Sequence, residues 1–145
     1  MNKKNILPLM VKDHCKIEKL LDALERNIDK DYETMRESFN NFEWVLEKHL
    51  FIEEKAIFTF YNPKDVSEGY RMLPELTKQH NFLINQLNNW RKDVRNKKKI
   101  NGFYEFKKIL ISHKGFEEKE VYPRLDKTLS DDQKKEIISR INEMV

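Results

Sequence analysis

The sequence repeats apolar residues at alternating steps of three and four along four separate stretches. The stretches cover about residues 7–28, 35–60, 73–94 and 103–125, so each can form one long helix. Apolar residues with this spacing lie on one face of a helix, and that face must pack against neighbouring helices. The composition agrees, since 3 glycines, 4 prolines and 37% charged residues favour helices over a sheet.

Polar segments centred near residues 30, 65 and 98 separate the four stretches. Short connections between long helices make neighbouring helices antiparallel, so we expect an all-α, up-down-up-down four-helix bundle over about residues 8–127. A short fifth helix is expected over about residues 131–144, after a capping-box sequence that starts at Ser130. The 145 residues are predicted to form a single domain, residues 1–145.

Candidate helix boundaries follow from capping and proline chemistry. Pro74 either opens the third helix or kinks it. The candidate N-caps are Asp29 to Asp31 for the second helix, Asp65 or Ser67 for the third, and Asn101 for the fourth.

Charge and cysteine content narrow the class of protein. The 28 basic and 25 acidic residues give a net charge of +3 and a mixed surface, which argues against nucleic-acid and membrane partners. Cys15 is the single cysteine, so neither an internal disulfide nor a cysteine zinc site is available. The N-terminus lacks a long apolar run, so we expect neither a secretory signal nor a membrane anchor there. We therefore expect a cytoplasmic protein, either a monomer or a homodimer.

Six polar residues interrupt the apolar faces of the predicted helices. Counted from the predicted turn centres, the four histidines of the chain lie within three residues of one level of the bundle, or about 4.5 Å of helix rise. Two glutamates each follow a histidine by four residues and therefore lie on the same helix face. The six residues, which we expect to meet on the bundle axis, are His14, His49, Glu53, His80, His113 and Glu117.

This cluster predicts a dinuclear metal site. Two carboxylates that face each other in a core repel, and two divalent cations bridged by both would remove that repulsion. Two imidazoles on each ion and two bridging carboxylates suit iron, and less well manganese, better than zinc, with an oxo or hydroxo bridge as a further ligand. The alternative is a buried His/Glu hydrogen-bond network without metal, which is disfavoured because unpaired buried carboxylates are costly.

The pattern is also duplicated along the chain. The motif H-x-x-[IF]-E-E-K-x-[IV]-[FY] occurs at His49 and again at His113. His14 and His80 are separated by nearly the same distance in sequence as these two motifs. The chain is thus two helical hairpins, each supplying one histidine and then one His-x-x-x-Glu pair, as a pseudo-twofold site requires.

This order of histidines and glutamates resembles the hemerythrin-like family in its prokaryotic HHE cation-binding form. The resemblance implies a four-helix bundle with a non-haem di-iron centre that binds dioxygen, or in some members senses oxygen or iron or handles nitric oxide and peroxide. It also implies roles for the six residues: His14, His49, His80 and His113 as terminal ligands, and Glu53 and Glu117 as carboxylate bridges.

The chain departs from the oxygen-carrying hemerythrins at two positions. They place a second histidine four residues after the third-helix ligand, where this chain has Ile84, and they end in His-x-x-x-x-Asp instead of His113 and Glu117. A missing imidazole leaves the metals more open, which argues against simple oxygen storage. Two functions follow: a protein that binds or senses dioxygen or iron, or a redox enzyme acting on peroxide, nitric oxide or ferrous iron.

Several residues near the motifs receive a structural interpretation. Glu54 and Glu118 lie about 100° around the helix from the bridging glutamates, so we expect them in solvent or supporting a ligand. Glu18 is interpreted as a surface residue, although it could supply an extra ligand. Cys15 is interpreted as a packing residue, and Tyr61 and Tyr122 as packing at the bundle end.

Overall fold

The computed structural model describes residues 5–60 and 66–144, with side chains for 5–59 and 74–143. The protein is all-helical, and the described residues contain no strand. The expected five-helix pattern is present, with one expected helix divided into two. The helices are α1 (Ile6–Asn27), α2 (Tyr32–Ile52), α3 (Val66–Arg95), α4 (Phe103–Phe116), α5 (Tyr122–Thr128) and α6 (Asp131–Met144).

Two π-helical segments continue α2 and α4, and each begins at a glutamate. Glu53–Ile57 follows α2 and leads into a 3-10 turn, while Glu117–Val121 joins α4 to α5. The sequence predicted uninterrupted helices here. A π segment widens the helix and changes the direction of its side chains, and such segments occur frequently at functional sites.

Two of the predicted helix starts are confirmed by their hydrogen bonds. The backbone N–H of Thr34 donates to the Asp31 carboxylate at 3.2 Å, which caps α2. At α6, the Gln133 N–H donates to Ser130 Oγ at 3.1 Å, and the Ser130 N–H donates to Gln133 Oε1 at 2.9 Å. The second pair is a reciprocal capping box.

Other predicted boundaries are corrected. Asn101 does not cap α4, because Gly102 precedes that helix with a left-handed φ of 78° and no side-chain cap. The Asn101 carbonyl instead accepts a hydrogen bond from Trp90 Nε1 at 2.8 Å. Pro74 does not open the third helix, since α3 runs from Val66 through it. Asp65 and the side chain of Ser67 lie outside the described residues.

Two apolar clusters form the core, with a polar layer between them. Along α1, Met10 belongs to one cluster and Ile17 to the other, with His14 between them. Along α3, Leu76 and Leu83 enclose the next histidine in the same way. The tertiary contacts of α1 are with α2, α4 and α5, while α3 packs against α2 and α4, so four helices surround the polar layer. None of the described helices combines the length and the apolarity that a membrane span requires.

Candidate metal centre

The structure brings the six predicted polar residues together in the layer between the two clusters. All six are at most 3% exposed. Their ligand atoms form two overlapping groups, in each of which all atoms lie within 4.8 Å of one another. One group is Glu53, His80, His113 and Glu117, and the other is His14, His49 and Glu117.

Glu53 lies between the two halves of this cluster. Its Oε1 atom is 2.8 Å from His49 Nε2 and 3.6 Å from His80 Nε2. The first distance joins residues one turn apart on the same helix, and the second crosses to α3. One carboxylate oxygen therefore faces one imidazole from α2 and another from α3.

Glu117 occupies the equivalent position on the opposite side. Its Oε1 atom is 3.3 Å from His14 Nε2 and 3.2 Å from His113 Nε2. Both glutamates thus span the His14–His49 pair, whose rings are 4.8 Å apart, and the His80–His113 pair, whose rings are 4.9 Å apart. This is the placement that a carboxylate bridge between two cations needs.

Five buried atoms at the centre of the cluster make no well-aligned hydrogen bond with the described residues, although imidazole nitrogens lie as close as 2.8 Å to one of them. They are Glu53 Oε1, both carboxylate oxygens of Glu117, and the Nε2 atoms of His80 and His113. Leaving a buried polar atom unpaired costs about 1–3 kcal/mol, and more when it carries charge. All five are nitrogen or oxygen atoms that bind iron and similar cations. The donor set therefore fits a pair of metal ions.

The outer Nδ1 atom of every histidine in the cluster contacts a side chain from a neighbouring helix or π segment. Each partner adjoins a cluster residue in the sequence, so the four contacts form a closed ring around the cluster. Such contacts fix the orientation of each imidazole and aim Nε2 at the centre. The pairs are His14 with Glu118 (3.0 Å), His49 with Asp13, His80 with Glu54 (3.1 Å) and His113 with Gln79 (2.5 Å).

Comparison with family models identifies the chain. The model described as the hemerythrin HHE cation binding domain matches residues 5–125, a range that includes all six cluster residues. The chain belongs to the hemerythrin HHE family. Comparisons with curated proteins and with solved structures gave no match. Cation binding is the property that the family description carries, and the buried histidines and glutamates of this hemerythrin domain are compatible with it.

Tyr122 is a site residue of this hemerythrin domain that the sequence interpretation missed. Its side chain is fully buried, and its hydroxyl donates to Glu53 Oε2 at 2.5 Å. Burial, together with the charge of Glu53, raises the pKa of Tyr122 well above 10, so the phenol keeps its proton. The interpretation that Tyr122 only packs at the bundle end is wrong. Tyr61 lies outside the described residues.

The remaining neighbours have simpler roles. Glu54 and Glu118 support histidines, as predicted. Glu18 forms an ion pair with Lys114 and is 41% exposed at its side chain, which confirms its interpretation as a surface residue. Cys15 is exposed and free, so its interpretation as a packing residue is wrong.

Burial and charge set the protonation of the metal-free cluster. Burial lowers the pKa of His113 to about 3 and also lowers that of His14, so both imidazoles are neutral at pH 7. Burial would lower the pKa of His49, but Glu53 and Asp13 outweigh it and raise the value to about 9. Burial would raise the pKa of Glu53, but the charge of His49 outweighs it and lowers the value to about 2.

These shifts predict how the stability of the metal-free protein depends on pH. The pKa of His113 is about 3 in the folded protein and 6.5 in the unfolded chain. The unfolded chain therefore binds a proton more readily, and the free energy of unfolding falls as the pH drops below 6.5. The pKa of Glu53 falls from 4.5 to about 2 on folding, which adds to the loss in acid. The raised pKa of His49 stabilises the protein fully below 6.5, and this gain disappears as the pH rises towards 9.

We therefore expect the free energy of unfolding of the metal-free protein to be greatest near pH 6.5. Urea unfolding curves between pH 5 and pH 8 measure it. In the His113→Gln variant, the free energy of unfolding should fall less below pH 6.5, while its decrease above pH 6.5 should remain. Unfolding midpoints that do not change with pH would contradict the assignment of these shifts.

Proposed function

We propose that the protein holds two iron ions and uses them to bind dioxygen or a related small oxidant, as an oxygen- or iron-binding or -sensing protein. His14 and His49 would bind one ion, and His80 and His113 the other. Glu53 and Glu117 would bridge the two, since each lies between the pairs. Manganese is a less suitable occupant.

The observation that carries this proposal is the set of unpaired atoms at the buried centre. A His/Glu network without metal would satisfy its own hydrogen bonds, yet neither carboxylate oxygen of Glu117 accepts a hydrogen bond from the described residues. One cation could not contact all four imidazoles, because the ligand atoms fall into two groups that share Glu117. Two ions account for both facts.

A small cavity beside the cluster supports a small ligand. It has a volume of about 10 Å³, close to the space that one water molecule occupies. Three of the cluster histidines line it, namely His14, His49 and His113, together with apolar side chains that include Leu46 and Leu110. The Glu18–Lys114 ion pair also lines the cavity, whose volume is of the order needed for one small molecule such as water or dioxygen.

The chain's own residues would hold the centre and limit its reactions. The ring of Nδ1 contacts keeps the imidazoles in place, and the Tyr122 hydroxyl fixes one oxygen of Glu53. The two apolar clusters exclude bulk water on both sides. Two ferrous ions, when bound, can give two electrons to an oxidant.

A redox enzyme acting on peroxide, nitric oxide or ferrous iron is the second candidate. The observation that favours it is Ile84, which lies one turn after His80 and packs half-buried against the apolar core. A hydrocarbon side chain at that place supplies no ligand. One coordination position would then be open to solvent or to a substrate.

The proposal includes the predicted architecture, a single domain with up-down-up-down topology. Contacts between successive helices, and between α1 and α4, support it. The matched range, residues 5–125, supports one metal-binding unit for most of the chain, with α6 packed against its end.

The test is metal analysis with an absorbance spectrum taken before and after air is admitted. Protein made with iron available should contain two iron ions per chain, and its spectrum should change when dioxygen is added. One transition metal per chain, or none, would refute the dinuclear site. Two irons with a spectrum that air leaves unchanged would refute the binding of dioxygen but not of iron.

A further inference from the structure

The six proposed ligands form two chemically identical sets. The second hairpin repeats the order of the first, and every ligand has a counterpart of the same residue type. From these residues alone, the two metal ions should be equivalent. The matched pairs are His14 with His80, His49 with His113, and Glu53 with Glu117.

The first difference between the two hairpins lies in the side chains that contact the Nδ1 atoms of the histidines. Asp13 and Gln79 are counterparts, because each directly precedes the first histidine of its hairpin, and each contacts the Nδ1 atom of a cluster histidine. His49 therefore donates to a carboxylate, whereas His113 donates to a neutral amide oxygen at 2.5 Å. The other two contacts keep the symmetry, because both acceptors are glutamates.

A second difference between the two hairpins lies at the aromatic residue that ends each copy of the repeated motif. Tyr122 and Phe58 are counterparts, because each is the last residue of the repeated motif, and their rings are 5.9 Å from that of His14 and 5.6 Å from that of His80. The Tyr122 hydroxyl donates to Glu53 Oε2, but Phe58 has no hydroxyl to offer. Accordingly, Glu117 Oε2 has no hydrogen-bond partner among the described residues.

We propose that the two metal positions are inequivalent, and that the ion at His14 and His49 is the one that takes the higher oxidation state. Asp13 and Gln79 set this difference as positioning residues that act through the histidines. The inference rests on the proposed di-iron site.

The direction follows from how each acceptor affects the imidazole. A carboxylate that accepts from Nδ1–H makes a charge-assisted hydrogen bond and raises the electron density at Nε2, which favours a ferric ion. A neutral amide acceptor raises the electron density at Nε2 less, so the ion at His80 and His113 remains ferrous more readily. The Tyr122 hydroxyl adds to the inequivalence, because it donates to one bridging glutamate, Glu53, and has no counterpart at Glu117.

The experiment is stepwise reduction of the iron-loaded protein, with the mixed-valence fraction measured by electron paramagnetic resonance. The wild-type protein should accumulate a mixed-valence form in which one iron is ferric and the other ferrous. Asp13→Asn and Gln79→Glu each make the two acceptors alike. Both should lower the comproportionation constant by about tenfold, at the lower end of the effects that follow when the hydrogen-bond partner of a metal ligand is changed.

The two substitutions change the charge of the protein in opposite directions: Asp13→Asn removes a negative charge, whereas Gln79→Glu adds one. A general electrostatic effect therefore cannot produce the same result in both. The double variant Asp13→Asn/Gln79→Glu has the wild-type charge and should recover the mixed-valence fraction.

Two outcomes would overturn the inference. One is a wild-type protein with two irons but no mixed-valence form, and the other is a pair of single variants that shift the constant in opposite directions. Fewer than two irons in the wild-type protein would instead refute the proposed function.

Discussion

The Glu117→Ala protein is expected to retain at most one metal ion per chain, where the wild-type protein retains two. Glu117 belongs to both groups of ligand atoms, and both of its oxygens lie at the centre without a hydrogen bond from the described residues. His49→Ala should similarly empty one of the two positions. Metal content after exhaustive dialysis of iron-loaded protein measures both losses.

The motif offers matched controls in the residues that follow the bridging glutamates. Glu118 and Glu54 each contact an Nδ1 atom and no proposed metal position, so their alanine variants should weaken metal binding by about 10–100-fold yet still fill both sites when metal is in excess. Glu120 is exposed and pairs with Arg124, so Glu120→Ala should behave as the wild type. Equal loss of metal in the Glu117, Glu118, Glu54 and Glu120 variants would show that the assignment of Glu117 as a ligand, and of the others as non-ligands, is wrong.

Metal loss should also lower the stability of the fold. Each bound ion stabilises the native state by about 4 kcal/mol when its concentration is a thousandfold above Kd. For a chain of 145 residues this corresponds to a fall in Tm of roughly 10 °C per ion. The Glu117→Ala protein should therefore gain at most about 10 °C in Tm from iron, whereas the wild type should gain about 20 °C.

The main features of the helices and of the cluster could be predicted because both depend on spacing. A residue such as His80 lies on the buried face of its helix whatever the loops do, and the apolar neighbours Leu76 and Leu83 mark that face. Likewise, Glu54 follows Glu53 by one residue and must point about 100° away, where it meets a histidine of the next helix.

Features that depend on the distances between helices could not be predicted. Asp13 and Gln79 precede a histidine by one residue and contact a histidine on another helix, which spacing within one helix does not reveal. The π segments keep the apolar pattern of an α-helix, so periodicity gives no sign of them. Tyr122 was misjudged because its apolar ring fits a bundle end, while its hydroxyl reaches Glu53 only in the folded protein.

The reduced, iron-loaded protein is expected to oxidise in air without recovering when oxygen is removed. An oxygen carrier must return its ligand unchanged, which requires filled coordination positions and the exclusion of water. Ile84 takes the place where such carriers have a further histidine, and its side chain packs against the core. An open position would then accept a single water molecule, for which the cavity beside the cluster has room. Dioxygen would take two electrons from the two ferrous ions and two protons from water, and it would leave as hydrogen peroxide with hydroxide remaining at the site.

Stopped-flow absorbance of the reduced protein mixed with air-saturated buffer, followed by deoxygenation, measures this reaction. The Ile84→His variant should oxidise more slowly, provided that its ring reaches the metal, because the imidazole would fill the open position. Ile84→Leu keeps a hydrocarbon there and should oxidise like the wild type. Full recovery of the reduced spectrum over repeated cycles in the wild-type protein would refute this prediction, since only a reversible carrier returns both electrons to its metal centre.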